Sequence, residues 1–469
     1  MAVAEKESNL EAGLLQKDQS DNEECRITLV VLFSTFVAVA GAFCFGCAAG
    51  YSSAAHSGIT KDLGLSVADY SMFGSIMTFG GMIGAVFSGK VADILGRRGT
   101  MWFAQIFCIS GWLAIAFAKN SLWLDVGRLS LGYGVGLFSY VIPVYVAEIT
   151  PKHVRGAFVF ANQMMQNCGI SLFFIIGNVI HWRTLALIGF LPCALQVVGL
   201  FFIPESPRWL GKCGREKECN AALQRLRGRD ADISREANAI KDTMDMFGQG
   251  PRSRVMDLFQ RRYVPSLIIG IGLMLLQQLS GSAGFTYYAS SLFESGGFPS
   301  SIGSTILAII MIPKSMMGLI LVEKMGRRPL LMASAVGMCL CGLLLSASFW
   351  FRSIGILDEL TPIFTCVGVL GSITTFAMGM GGLPWIIMSE IFPMNVKVSA
   401  GTLVTFANWS VGWIVTYAFN FLLQWNESGT FLIFAGVCAA TIAFVYMLVP
   451  ETKGRTLEDI QSSLSDFLQ

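Results

Sequence analysis

Gly89-Lys90-Val91-Ala92-Asp93-Ile94-Leu95-Gly96-Arg97-Arg98 is the stretch on which the fold turns, because its skeleton returns later as Glu323-Lys324-Met325-Gly326-Arg327-Arg328. In both copies an acid stands three residues ahead of the glycine of Gly-Arg-Arg, and apolar runs lie on either side. Two more pairs keep the same order. Glu148 precedes Arg155 by seven residues as Glu390 precedes Lys397 by seven, and Pro204-Glu205-Ser206 is echoed by Pro450-Glu451-Thr452. The offsets are 230 residues from Arg97 to Arg327, 242 from Glu148 to Glu390 and 246 from Glu205 to Glu451, which is the mark of an internal duplication.

Around these turns lie apolar runs near 27–50, 71–89, 101–118, 122–146, 157–180, 184–203, 264–291, 301–322, 330–350, 361–388, 398–423 and 429–449. Each is long enough to cross a bilayer as a helix that satisfies its own backbone. Of the 469 residues 54% are hydrophobic and 14% charged, with mean hydropathy +0.60, too apolar for a water-soluble domain. The sequence therefore predicts an all-α membrane protein of twelve transmembrane helices in two six-helix bundles, related by an axis along the membrane normal. The expected parts are a tail at 1–26, an N-terminal bundle at 27–203, a helical linker at 204–263, a C-terminal bundle at 264–449 and a tail at 450–469. Charges interleaved with Ala221, Leu223 and Leu226 suit short amphipathic helices in the linker. Lys and Arg gather in alternate loops (Lys90, Arg97 and Arg98; Lys152 and Arg155; 204–263; Lys324, Arg327 and Arg328; Lys397), so both termini and the linker are expected in the cytoplasm. The first 26 residues are polar and acidic, unlike a cleaved signal peptide.

A net charge of +2 argues against nucleic-acid binding. The twelve Cys are scattered, most of them in apolar runs, and His56, His153 and His181 are isolated at span ends, so neither a metal, a cofactor nor a catalytic triad is expected. The expected partners are a small-molecule substrate and the bilayer itself; the oligomeric state is left open. Acid and arginine repeated at matching cytoplasmic turns form a candidate charge network of Arg97, Arg98, Glu148, Arg155, Glu205, Arg208, Arg327, Arg328, Glu390 and Lys397, read as a latch of the bundles when the outer side is open, because arginine forks pair bidentately with carboxylates. The plainer alternative is that these cations only set topology.

The ordered motifs Gly96-Arg97-Arg98, Arg128-x-x-x-Gly132, Pro143-x-Tyr145-x-x-Glu148, Pro204-Glu205-Ser206-Pro207-Arg208, Gln277-Gln278-Leu279-Ser280-Gly281, Gly326-Arg327-Arg328-Pro329, Pro384-Trp385 and Pro450-Glu451-Thr452-Lys453-Gly454 resemble the sugar porter family of the major facilitator superfamily across 27–460. The Phe45-Gly46-Cys47 start is similar to the early-responsive-to-dehydration-like plant monosaccharide transporters. The resemblance implies a carrier for a monosaccharide such as glucose or fructose, working by alternating access, and not an enzyme. It places Gln163, Gln277, Gln278, Trp385 and Asn408 around the sugar, where amides match hydroxyls and a ring covers the apolar face. The other reading of these amides is helix-to-helix bonding. Two family amides are absent, with Ala283 and Met311 at their positions. A sugar sensor with the same fold is the rival reading, and an exporter of organic ions would want more acids inside the spans.

Coupling is read from the first span. Proton-coupled members of the family carry an Asp two residues after Phe-Gly that approaches the fourth-span arginine; here Arg128 is present but Ala48 takes the Asp position. Facilitated diffusion is expected, with proton coupling through Asp125, three residues before Arg128, as the alternative. Lys314, beside Pro313 in the eighth span, is too deep to snorkel easily and is read as a coupling or cavity-lining candidate, the plainer alternative being a helix register displaced by one turn. Leu14-Leu15 after Glu11 is similar to an acidic dileucine signal and, with the plant resemblance, points to the vacuolar membrane ahead of the plasma membrane.

Overall fold

The computed structural model describes residues 27–151, 154–229, 231–248, 258–260, 263–356, 359–392 and 396–453; the side chains of 242–248, Glu323, Lys397 and Val398 lie outside that description. The Leu14-Leu15 pair and His153 therefore fall outside the described residues, as does the side chain of Lys397, a member of the charge network. All described regular elements are helices. The first half contains α1 (Leu29–Ala54), α2 (His56–Leu63), α3 (Val67–Ala116), α4 (Ser121–Ile149), α5 (Arg155–Gly177) and α6 (Trp182–Leu200). Three short helices follow in the linker, α7 (Pro207–Lys212), α8 (Glu216–Arg227) and α9 (Ser234–Gly248). The second half contains α10 (Val264–Leu279), α11 (Ser282–Tyr287), α12 (Ala289–Ser295), α13 (Ser300–Lys324), α14 (Arg327–Ser353), α15 (Thr361–Met378), α16 (Leu383–Ile391), α17 (Lys397–Trp425) and α18 (Glu427–Leu448).

Local chemistry sets the ends of these helices. Ser66 and Asp69 close a capping box at the start of α3, and Asn120 caps α4 by accepting from Trp123 N at 3.1 Å. Gly96 takes φ 81°, a left-handed conformation that costs glycine little, and bends α3 into the second and third spans. Ten segments are long and apolar enough to cross a membrane by length and composition. Counting α3 twice and adding the 29-residue α17 gives the twelve spans expected.

Packing within the first bundle relies on close backbone approach. A Cβ at Gly80 or Gly84 of α3 would strike carbonyl oxygens of Leu129 and Tyr133 on α4, and one at Gly132 or Gly136 would strike those of Met77 and Gly81. Small residues at such a seam allow helices to gain dispersion contacts where no hydrophobic force drives them together. Large apolar side chains such as Ile94, Leu195 and Phe36 are left exposed on the outside, as a lipid-facing surface requires.

The second bundle is broken where the site lies. The seventh span runs as α10, α11 and α12, with Gly281 at φ 83° between the first two. The tenth splits into α15 and α16 across Gly379–Gly382, and its freed Met380 N is met by Ser334 Oγ at 3.0 Å. Irregular backbone at membrane depth is tolerable because it lines a cavity and finds such partners.

Candidate functional site

Between the bundles lies a cavity with two connected lobes of about 650 and 990 Å³ that share Gln163, Gln166, Gln278 and Trp385 on their walls. The size suits a small polar ligand. Cross-bundle hydrogen bonds between described residues run from mid-membrane to the side opposite the linker. Asn167 Nδ2 donates to Ser315 Oγ at 2.5 Å, Ser171 Oγ to Ala308 O at 2.9 Å, and Ser53 Oγ lies 2.8 Å from Ser290 Oγ. His56 Nδ1 lies 3.1 Å from Ser291 Oγ, and the rings of Tyr70 and Tyr288 stand 6.3 Å apart above the cavity. The larger lobe extends the other way, past Ser88, Lys90, Asp93 and Met388, toward the linker side. The cavity is thus closed on the far side and open on the linker side.

All five predicted sugar contacts lie on the walls of this cavity, carried by four helices. Gln163, on α5, is exposed to it, and Gln278 of α10 and Trp385 of α16 are half-buried on its wall. Gln277 and Asn408 line the larger lobe but are 2% and 5% exposed. Gln277 Nε2 donates to Met380 O at 2.5 Å and Gly381 O at 3.2 Å, its Oε1 accepts from Asn408 Nδ2 at 2.8 Å, and Gln278 Nε2 donates to Asn408 Oδ1 at 3.1 Å. Gln277 is therefore a strut that satisfies the broken tenth span, the helix-bonding role set against ligand contact in the sequence. Sequence reasoning missed Asn162 and Gln166, one face of α5 with Gln163; the buried Asn162 Oδ1 has no protein partner. Their signal was the amide spacing 162, 163, 166 on a helix. Ala283 and Met311, standing where family amides are absent, both line the smaller lobe.

Arg128 is wholly buried in the closed far side. Its guanidinium donates to Ala48 O at 2.7 Å and Ser52 Oγ at 3.0 Å and lies over the rings of Phe73 (4.4 Å) and Tyr51 (5.0 Å). These supply electron-rich oxygens and ring faces but no carboxylate. The (i, i+3) contact considered for Asp125 does not form: a buried Asp125 oxygen has no hydrogen-bond partner, and Arg128 points instead toward α1. Lys314 lies on the cavity wall, 8% exposed.

The charge clusters stand on the linker side, and each stays within its own bundle. In the first, Arg97 forks onto Glu148 (Nε to Oε2 2.9 Å, Nη2 to Oε1 3.0 Å), and Ser206 Oγ adds a bond to Glu148 at 2.6 Å. Glu205 accepts from the backbone N–H of Arg97 at 3.0 Å, Arg98 at 3.1 Å and Ser206 at 2.8 Å. Burial pushes the Glu205 carboxyl above its ordinary value, and those N–H groups draw it part of the way back. In the second bundle Glu451 accepts from Arg327 N at 2.9 Å and Arg328 N at 3.2 Å, and Arg327 Nη2 reaches Glu390 at only 3.4 Å. Burial raises the Glu451 carboxyl, but backbone N–H groups, Lys453's first, outweigh that and hold it below the usual carboxylate range. A Cβ at Gly96 or Gly326 would meet the Glu205 or Glu451 carboxylate, which is why the repeat keeps glycine there. Among the described residues Arg155 pairs with no carboxylate, and its buried Nε has no partner, while Arg208 is exposed on α7. As a latch joining one bundle to the other, the network is not formed in this conformation: no described arginine–carboxylate pair crosses between bundles.

A family model described as sugar (and other) transporter matches residues 2–464. The chain belongs to that family. It is similar to the sugar transporter ESL1 of Arabidopsis thaliana, 75% identical with 100% of both chains covered, and to the sugar transporter ERD6 of the same plant, 67% identical over 98% of this chain and 94% of that protein. Among solved structures it is similar to the inward open conformation of the xylose transporter XylE from E. coli, with TM-score 0.79 at 24% identity, covering 92% of this chain and 99% of that one. XylE bound to 6-bromo-6-deoxy-D-glucose, described as a proton:xylose symporter of the major facilitator superfamily, gives TM-score 0.75 at 24% identity over 94% and 100% of the two chains. The expected family, the plant subfamily and the twelve-helix fold are borne out. Members of this family are transporters and not enzymes.

Proposed function

We propose that this sugar transporter carries a monosaccharide by alternating access, with Gln163, Gln166, Gln278 and Asn162 meeting hydroxyls and Trp385 covering the sugar's apolar face. The observation that carries this reading is the interbundle cavity, whose wall combines amides of both bundles with an aromatic ring and opens on one side only. Gln277 and Asn408 then hold the tenth-span break in shape behind that surface. The positive-inside bias assigns the linker side and both termini to the cytoplasm, so the conformation is inward-facing. The dileucine-like Leu14-Leu15 supports the vacuolar membrane, tested by a fluorescent fusion with both leucines changed to Ala.

Transport is passive in this reading. A proton must titrate a group whose charge is linked to the conformational change, and Arg128 is held by the Ala48 carbonyl, Ser52 and two rings in place of a carboxylate. The test is uptake of labelled hexoses into proteoliposomes under an imposed pH gradient. Uptake that stops at equal concentrations on both sides is expected; accumulation abolished by a protonophore would establish proton coupling instead.

A further inference from the structure

Lys314 poses a problem that a neutral sugar does not solve. It sits on α13, more than nine-tenths buried, and among the described residues lining the smaller lobe it carries the one charge. No described residue accepts a hydrogen bond from it or pairs with it, although its neighbour Ser315 is engaged by both Asn167 Nδ2 (2.5 Å) and Met311 O (3.0 Å). Arg128 is buried more deeply still, but it has a carbonyl, a hydroxyl and two ring faces around it. An ammonium on a half-desolvated cavity wall favours a counter-charge, and with none among the described residues an anionic ligand entering the cavity can supply it. The same lobe is lined by the amides of Gln163 and Gln166.

We propose that Lys314 is an anion subsite within the sugar cavity, and that the protein also carries monosaccharides bearing one carboxylate, the hexuronates. The sugar hydroxyls meet the amides of α5 and the carboxylate meets the Lys314 ammonium. A single ammonium matches a singly charged carboxylate; a phosphate ester, close to doubly charged at neutral pH, would be left with half its charge uncompensated. This inference rests on the reading of the cavity as the sugar site.

The full-length protein in proteoliposomes provides the test, with labelled glucose and labelled glucuronate measured in parallel. Wild type should take up both, each competing with the other. Lys314→Gln should lower glucuronate uptake roughly tenfold or more relative to glucose, the scale of one charge-assisted hydrogen bond in a cavity, and Lys314→Arg should retain most of it. A second measurement needs no variant: glucuronate should inhibit wild-type glucose uptake at a concentration roughly tenfold below that of its neutral isostere glucuronamide. Glucose uptake with no glucuronate uptake, equal inhibition by acid and amide, or an equal loss of both substrates in a folded Lys314→Gln would overturn the proposal. Failure of wild type to carry any sugar would instead remove the reading of the cavity, and the proposal with it.

Discussion

Changing Glu148 to Gln should destabilise the protein far more than changing Glu390, although the two occupy equivalent places in the repeat. Glu148 takes both prongs of the Arg97 fork at 2.9 and 3.0 Å and a third bond from Ser206 at 2.6 Å, with side chains only 9% and 13% exposed. Arg97 keeps its charge when that carboxylate goes, with Asp93 at 3.7 Å as its remaining acid. Removing one partner of a well-buried pair costs about 3–5 kcal/mol, and the residual exposure puts this case near the lower end, about 3 kcal/mol. Glu390 makes one contact at 3.4 Å, its other oxygen has no partner, and the pair is 19% and 28% exposed, which places its loss at about 1 kcal/mol or less. A difference of about 2 kcal/mol should appear in reversible unfolding in mixed micelles, followed by tryptophan fluorescence. A cycle combining Arg97→Gln with Glu148→Gln should show that most of the loss is shared between the two. Equal destabilisation by the two glutamate variants, or additive losses in the cycle, would refute this account of the asymmetry.

Gln163→Ala should raise KM for hexose with thermal stability unchanged, whereas Gln277→Ala should lower stability by roughly 1–3 kcal/mol by leaving the Met380 and Gly381 carbonyls unpaired; the opposite pattern in thermal-shift and uptake assays would reverse the two roles. Ala48→Asp should give Arg128 a titratable partner and make uptake depend on pH, and pH-independent uptake by a folded variant would count against the basis given for passive transport. His56, on the short α2 outside the spans, has its pKa lowered by burial, and the charge of Glu294 opposes that shift. It faces Ser291 across the bundles and the ring of Tyr70, so its contribution to the closed far side is full above about 6.5, the value for an exposed histidine, and declines as pH falls below it. Acidifying that side should therefore increase labelling of a cysteine placed at Ser290, and His56→Gln should remove the pH dependence; labelling that ignores pH in wild type would dismiss the switch.

The sequence by itself determined the twelve spans, their halving and the side on which the charges gather, because apolar length and cation placement are local properties that survive without knowledge of neighbours. It also brought Gln163, Gln278 and Trp385 to one cavity, since the family motifs fix which span each amide occupies. Tertiary structure decided what each polar group does there. Gln277 and Gln278 are adjacent in the chain, yet a 100° turn of the helix sends one to the carbonyls freed by the tenth-span break and leaves the other half-buried on the cavity wall. Spacing predicted arginine–glutamate pairs in both repeats, but it could not show that Glu205 and Glu451 would fold back onto backbone N–H groups beyond the glycine turns, or that no described pair would cross between bundles. Nor could it tell whether Asp125 reaches Arg128, because a helix spacing of three allows contact only if both side chains lean the same way. Arg128 leans into the Ala48 carbonyl eighty residues earlier in the chain, and the proposal of passive transport rests on that long-range choice, made by packing.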